Sequence, residues 1–171
     1  KPKGIFLGGP EFLGNNKEFL NARPYITAVF KGEGEEMFPA FVKSLLLDNN
    51  KWKEIPGWEY IENGLYHSSG EENVKDFANL NTPEQSELFS WDKSFVQLET
   101  SRGCFNSCKF CVSGISKAPV QDLPISSIQN RLDTIVSKGI KEVRILDRTF
   151  NANPKRAKEF IDLAAKYKSK L

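Results

Sequence analysis

Histidine, long apolar runs and excess charge are all scarce in this sequence, and each shortage excludes a class of protein. The chain has one histidine, His67, among 171 residues, so zinc sites built from several histidines and cysteines are disfavoured. No apolar run approaches the ~20 residues that a membrane-spanning helix needs. The net charge of +2 provides no broad electrostatic footprint for nucleic acid. No signal-peptide pattern opens the sequence. We therefore expect a cytoplasmic protein without membrane or nucleic-acid partners.

The sequence does contain enough apolar material for a packed core. Hydrophobic residues make up 39% of the chain and charged residues 27%, and 13 Phe and 3 Trp supply large side chains. A chain of this length forms one or two domains. It does not begin with Met and runs at once into an apolar segment, so we expect it to be an internal piece of a longer protein.

All three cysteines lie within residues 99–111. Three residues separate Cys104 from Cys108 and two separate Cys108 from Cys111, a spacing that lets one loop wrap a metal centre. Most iron–sulfur clusters are held by four cysteines, so three thiolates would leave one iron open for chemistry, as in catalytic metal sites generally. The alternatives are a structural zinc site that would need His67 and a set of metal-free thiols. The odd cysteine count argues against a disulfide framework.

The pattern Cys104-x-x-x-Cys108-x-Phe110-Cys111 resembles the signature of the radical S-adenosylmethionine (SAM) superfamily, and residues 99–104 resemble its branch with an N-terminal cobalamin-binding domain. The resemblance implies a [4Fe-4S] cluster on the three cysteines, with the amino and carboxylate groups of SAM on the fourth iron. One electron from the cluster would cleave SAM to methionine and a 5′-deoxyadenosyl radical. The resemblance also places Phe110 near the adenine and implies an electron donor such as a flavodoxin or a ferredoxin.

Near the start of the chain, the apolar residues 5–7 run into Gly8-Gly9-Pro10, as a buried parallel strand and its turn would. Residues 6–10 resemble the late strand and turn of a cobalamin-binding, Rossmann-like domain, which implies that Gly8, Gly9 and Pro10 lie against the nucleotide tail of cobalamin. By itself, Gly-Gly-Pro is a tight turn. The usual cobalamin fingerprint with a ligating histidine is not in this chain.

A second strand, a helix and a hairpin are predicted next. Residues 26–30 form an apolar run, and residues 32–35 read Gly-Glu-Gly-Glu, a segment that resembles the end of the same cobalamin-type domain. The helix that follows has a predicted apolar face of Phe38, Phe41, Val42, Leu45 and Leu46. Beyond it, Asn63-Gly64 between apolar runs predicts a β-hairpin. The three tryptophans are interpreted as packing residues.

From residue 94 onward the sequence predicts a strand, the cysteine loop, a helix, a second strand and a second helix. The strands are residues 95–98 and 142–147. Ser126 and Gln129 form a predicted capping box at the start of the first helix, and Gly139 is expected to end it. Asn153 and Pro154 are expected to begin the second helix. This order is typical of a parallel sheet with right-handed crossovers.

Residues 147–151 leave the carboxyl end of the second of these strands. They resemble the segment that replaces the Gly-Gly-Glu motif of radical SAM enzymes, which holds the amino group of SAM. The resemblance implies that Asp147, Arg148 and Asn151 contact SAM, since a carboxylate can accept a charge-assisted hydrogen bond from an ammonium group. The alternative is that Asp147 pairs with Arg148 or caps a turn.

The sequence thus predicts an α/β chain in three parts. Residues 1–50 would be the C-terminal part of a cobalamin-binding-like domain, residues 51–93 a connector with a hairpin, and residues 94–171 the first βαβα units of a radical SAM partial (βα)6 barrel. The predicted cofactors are a [4Fe-4S] cluster and SAM, with cobalamin in the parent protein. We expect reductive cleavage of SAM to start radical chemistry on a small-molecule or other substrate. We expect this activity in the parent protein rather than in the fragment. The alternative is a non-enzymatic metal-binding module, with a structural zinc or an electron-transfer cluster.

Overall fold

The computed structural model describes residues 4–47, 50–111 and 119–171, and these form two compact units. Within the described residues, the first unit comprises 4–75 and 107–111, and the second comprises 76–106 and 119–171. None of the helices in the described chain has the length and apolar character needed to cross a membrane.

The first unit is built on a four-stranded mixed sheet in the order β1–β2–β3–β4. The first two strands are parallel, and the other pairings are antiparallel. The strands are β1 (Phe6–Leu7), β2 (Ala28–Phe30), β3 (Trp58–Glu62) and β4 (Leu65–Ser68). Helix α1 (Lys17–Asn21) lies between β1 and β2, and α2 (Gly34–Leu46) follows β2. Short 3-10 turns occur at Pro10–Phe12 and Asn50–Glu54.

The predicted hairpin is present between β3 and β4. Asn63 and Gly64 both have positive φ, 51° and 75°, as a two-residue type I′ turn requires. His67 lies on β4 and stacks on Tyr60 of the facing strand, with ring centroids 4.8 Å apart.

Aromatic rings fill the core of the first unit. Phe41, Trp52 and Trp58 are buried there, and Phe41 and Trp58 approach to 4.3 Å between ring centroids. The prediction that these two tryptophans pack is therefore confirmed. The predicted face of α2 is only partly right, because Phe38 and Leu46 are 59% and 81% exposed. The residues of α2 that pack on the core are Met37, Phe41, Val42 and Leu45.

The Gly-Glu-Gly-Glu segment has a structural role in this unit. Gly32 forms a β-bridge with Glu72, and a Cβ on Gly32 would lie 1.9 Å from the Glu72 carbonyl oxygen. Its φ of +128° also favours glycine. Glu33 is the N-cap residue of α2, and its carboxylate accepts a hydrogen bond from the backbone N–H of Val74 at 2.7 Å. The segment therefore fastens residues 72–74 alongside the start of the helix.

The second unit contains the predicted order of strand, helix, strand and helix. β5 (Val96–Leu98) pairs in parallel with β8 (Val143–Ile145), as predicted. Helix α3 (Ile125–Ser137) connects them and α4 (Pro154–Ala165) follows β8. An antiparallel ribbon of β6 (Ser101–Arg102) and β7 (Gln121–Asp122) was not predicted. Further 3-10 turns lie at Phe77–Asn79 and Pro83–Gln85.

Two of the three predicted helix boundary signals in this unit are confirmed. Gly139 has φ +81° directly after the C-cap of α3, and the Asn153 side chain accepts a hydrogen bond from the N–H of Arg156 at 3.3 Å. The predicted Ser126 cap is wrong. Helix α3 begins at Ile125 with Pro124 as its N-cap residue and no side-chain capping bond, so Ser126 lies inside the first turn.

Apolar side chains from α3 and β5 form the core of the second unit. Val96, Ile135 and Ile140 are buried together, and Trp91 packs against them. Trp91 therefore has the packing role predicted for it. Ile128 and Leu132 are buried on the same helix.

Candidate functional site

The segment that leads into Cys104 is fastened at the carboxyl ends of two parallel strands. Asp147, two residues beyond β8, accepts hydrogen bonds from the backbone N–H groups of Thr100 at 2.7 Å and Ser101 at 3.0 Å. The same carboxylate accepts from the hydroxyl groups of both residues, at 2.8 Å from Ser101. An ionised carboxylate offers about four lone-pair positions, and these four donors match them.

Arg156 of α4 holds the other side of the same segment. Its side chain is buried, and Nη2 donates to the backbone carbonyl of Thr100 at 2.6 Å and to that of Leu123 at 3.0 Å. Its Nε lies 3.2 Å from Asp122 Oδ1. One guanidinium thus joins the β6–β7 ribbon to the end of β5.

Arg131 of α3 supports the preceding residue. It donates to the backbone carbonyl of Glu99 at 3.2 Å and forms a two-pronged ion pair with Glu84, at 2.9 and 3.1 Å. Burial by itself would raise the pKa of Glu84, but the hydrogen bonds and the charge of Arg131 outweigh it and lower the pKa. Both carboxylate oxygens of Glu84 accept hydrogen bonds from Arg131, and such bonds are what a buried ion pair requires.

Gly103 occupies a position that admits no side chain. Its φ is +94°, and a Cβ there would lie 2.5 Å from the carbonyl oxygen of Pro119. Arg102, one residue earlier, forms a two-pronged pair with Glu99 and lies over the ring of Phe77. Residues 99–103 therefore approach Cys104 along a fixed backbone path.

Cys104 itself has two polar neighbours in the second unit. Its Sγ lies 3.1 Å from Thr149 Oγ1, and the Asn106 side-chain amide donates to it at 3.6 Å. The pKa of the Cys104 thiol is lowered, first by the hydrogen bond with Thr149 and then by the Asn106 backbone, with a smaller contribution from the charge of Arg148. This environment favours a thiolate, the form that binds metals.

Cys108, Phe110 and Cys111 belong to the first unit. The N–H of Cys111 donates to the carbonyl of Cys108 at 3.1 Å, so one turn carries both thiols. None of the three cysteines is in a disulfide. In the part of the chain that the structure describes, no three Cys, His, Asp or Glu side chains are grouped closely enough to hold an ion. The donor set is nevertheless chemically suited to an iron–sulfur cluster, since free thiols are its ligands.

The residues predicted to contact SAM differ in their surroundings. Phe110 is 93% exposed, and Arg148 and Asn151 are exposed in the segment after β8. Asp147 is half-buried and accepts hydrogen bonds from Thr100 and Ser101.

Sequence analysis missed Arg131 and Arg156. The sequence did contain a signal for these two arginines, because each of them falls among the apolar positions on the buried face of its own helix.

Gly8 and Gly9 line a cavity of about 300 Å³ in the first unit, and Pro10 begins the 3-10 turn beside them. The cavity lies at the carboxyl ends of the parallel strands β1 and β2, where α/β sheets bind ligands. Its walls are mainly apolar and include Trp58, whose buried indole N–H has no hydrogen-bond partner among the described residues. The other lining residues are Phe6, Leu7, Phe30, Gly32, Gly34 and Phe38.

Comparison with known proteins gives relatives over nearly the whole chain, although no protein-family model matches it. The chain is 30% identical to an uncharacterized methyltransferase of Pyrococcus horikoshii over 96% of its own length. It is 22% identical over 88% of its length to TokK, a cobalamin-dependent radical SAM methyltransferase of Streptomyces tokunonensis. The chain is thus similar in sequence to radical SAM methyltransferases that are described as cobalamin-dependent. It spans only 37% and 24% of the lengths of these two relatives.

A solved structure supports the α/β fold. TsrM, a radical SAM methyltransferase from Kitasatospora setae, matches 91% of this chain with a TM-score of 0.62 at 16% identity, and the match covers 32% of TsrM. TsrM has been solved with cobalamin and a [4Fe-4S] cluster, and with tryptophan and a SAM analogue. Because the relatives are enzymes, a non-enzymatic metal-binding module is not favoured.

Proposed function

We propose that this chain is the cluster-binding part of a radical SAM enzyme. The observation that carries the proposal is the Cys104, Cys108 and Cys111 loop, which leaves the carboxyl end of a parallel strand along a backbone fixed by Asp147 and Arg156. Barrel enzymes place their chemistry at such strand ends. A [4Fe-4S] cluster held there would supply the electron that cleaves SAM reductively.

The residues of the chain divide into ligands, SAM contacts and supports. Cys104, Cys108 and Cys111 would hold the cluster. Phe110, Arg148 and Asn151 have exposed side chains that suit contact with SAM. For Asp147 we propose a supporting role in SAM binding, because its carboxylate already receives four hydrogen bonds and thereby sets the path of the cysteine loop.

We also propose the domain organisation that the sequence predicts. The run β5–α3–β8–α4 supports assigning residues 94–171 to the opening of a partial (βα)6 barrel. The parallel pair β1–β2 followed by α2 supports assigning residues 1–50 to the end of a Rossmann-like domain, with residues 51–93 as the connector.

The cavity beside Gly8 and Gly9 is our proposed site for part of cobalamin in the whole protein. Two features suit it to a nucleotide tail, namely glycines that let a ligand approach the backbone and the unpaired N–H of Trp58. A buried donor without a hydrogen bond costs roughly 1–3 kcal/mol of stability, and an acceptor atom on the ligand would recover this free energy.

A titration of the whole protein with hydroxocobalamin tests this assignment. Trp58→Phe keeps an aromatic ring but removes the N–H, and we expect it to weaken binding by about tenfold, the equivalent of one hydrogen bond of ~1.4 kcal/mol. Trp91→Phe, in the other unit, is the matched control and should bind normally. Equal affinity of the wild type and both variants would contradict the site.

The class of reaction that we propose for the whole protein is methyl transfer, as in the relatives named above. Its substrate would be a small molecule, and a flavodoxin or a ferredoxin would supply the electron.

The proposal is tested by anaerobic reconstitution of the whole protein with iron and sulfide, followed by low-temperature electron paramagnetic resonance (EPR). We expect a reduced-cluster signal that changes when SAM is added, because SAM would occupy the open iron. A colourless protein with stoichiometric zinc would indicate a structural zinc module rather than an enzyme. A cluster whose EPR signal does not change when SAM is added would indicate a role in electron transfer.

A further inference from the structure

The hydroxyl of Thr149 lies against the thiol of Cys104, although 45 residues separate the two. Thr149 is the second residue after Asp147, and neither the predicted SAM contacts nor the predicted cluster ligands include it. Its Oγ1 is 3.1 Å from the sulfur, within the normal range for a hydrogen bond that involves sulfur. Both residues are half-buried, so bulk water competes less for this contact than it would at the surface.

The position of Thr149 is set by its own segment. Its carbonyl accepts a hydrogen bond from the N–H of Ala152 at 3.0 Å, which closes a turn. The next residue, Phe150, packs edge-on against Phe160 of α4, and Asp147 fastens the start of the segment. Threonine is also stiff about its first side-chain torsion. The hydroxyl is therefore presented to Cys104 by a rigid turn.

Binding to iron fixes the direction of this hydrogen bond. In the free protein either atom can be the donor, but an iron-bound cysteine has lost its proton, and its sulfur can only accept. Thr149 must then donate. Asn106 already donates to the same sulfur through its side-chain amide at 3.6 Å and through its backbone N–H, so three donors would converge on one ligand.

We propose that Thr149 is a positioning residue that donates a hydrogen bond to the Cys104 ligand and raises the reduction potential of the cluster. Hydrogen bonds to ligand sulfurs are among the factors that set this potential, because they stabilise the extra negative charge of the reduced state. The inference rests on the proposed function, since it requires that Cys104 binds a cluster.

The test compares the reduction potentials of the reconstituted wild type and three variants, each measured in a redox titration with EPR as the readout. Thr149→Val has nearly the same shape but no donor, and we expect full iron content with a shift to a more negative potential. Thr149→Ser keeps the donor and should stay near the wild type. Thr134→Val removes an exposed hydroxyl that donates to the Asn130 carbonyl within α3 and should cause no shift. A fully loaded Thr149→Val with the wild-type potential would overturn the proposal.

A smaller variant, Thr149→Ala, covers the case in which valine impairs loading. Pulsed EPR of the reduced cluster in H2O and D2O should detect one fewer exchangeable proton coupled to the cluster in Thr149→Ala than in the wild type or in Thr149→Ser, because the N–H donors of Asn106 remain in all three. The same set of exchangeable protons in Thr149→Ala and in the wild type would overturn the role of Thr149 while leaving the cluster intact. Absence of any cluster in the wild type would instead be a failure of the proposed function.

Discussion

Replacing Cys108 with alanine is expected to abolish cluster assembly without unfolding the protein. The motif supplies three thiolates, and the loss of one leaves two protein ligands for a cluster that normally has three or four. Cys108 is exposed, so shortening its side chain removes little buried surface and should cost well under about 1 kcal/mol of stability. The effect should therefore fall on the metal site alone.

Iron and sulfide content and the visible absorbance after anaerobic reconstitution measure this effect. Ser107→Ala is the matched control, because it changes the neighbouring exposed residue but leaves all three thiols. We expect the control to load like the wild type and Cys108→Ala to remain colourless, with the same thermal unfolding midpoint in all three before reconstitution, when none has a bound cluster to stabilise it. Retained cluster absorbance in Cys108→Ala would refute the assignment of the ligands.

The features that sequence analysis predicted correctly depend on local chemistry. Asn63 and Gly64 adopt positive φ whatever lies around them, and Asn153 caps α4 through a residue only three positions away. The parallel pairing of β5 and β8 followed from the order of elements and the handedness of crossovers. In the same way, the spacing of the cysteines can be recognised within eight residues.

The features that it missed depend on contacts between distant residues. A two-residue strand such as β6 or β7 has no period to detect. Phe38 belongs to an apolar pattern but lies at the edge of the core and is mostly exposed, because α2 packs on the sheet mainly through Met37, Phe41, Val42 and Leu45. Arg156 reaches Thr100 across 56 positions, and Thr149 reaches Cys104 across 45. Only the folded chain brings these partners together.

Replacing Asp147 with alanine is expected to destabilise the second unit by at least about 3 kcal/mol, since hydrogen bonds to a charged group contribute roughly 1.5–3 kcal/mol each, though not additively. The change would leave two N–H groups and two hydroxyls of Thr100 and Ser101 without their acceptor. Urea unfolding measures the loss. Asp162→Ala is the control, because its carboxylate is 61% exposed and pairs with the exposed Lys158 one turn away, so its removal should cost no more than ~0.5 kcal/mol.

Asp147→Asn separates support of the loop from direct contact with SAM. In the native protein both backbone N–H groups bond Oδ1, and both hydroxyls bond Oδ2. An asparagine can therefore keep its carbonyl toward the N–H groups and turn its amide toward the hydroxyls, which also accept hydrogen bonds. We expect stability close to that of the wild type and a cluster whose EPR signal still changes with SAM. A stable, loaded Asp147→Asn protein that no longer responds to SAM would show instead that the negative charge itself binds the amino group. In that case the four hydrogen bonds to Asp147 would serve to orient a carboxylate that binds SAM. The path of the cysteine loop would then depend on Arg131 and Arg156.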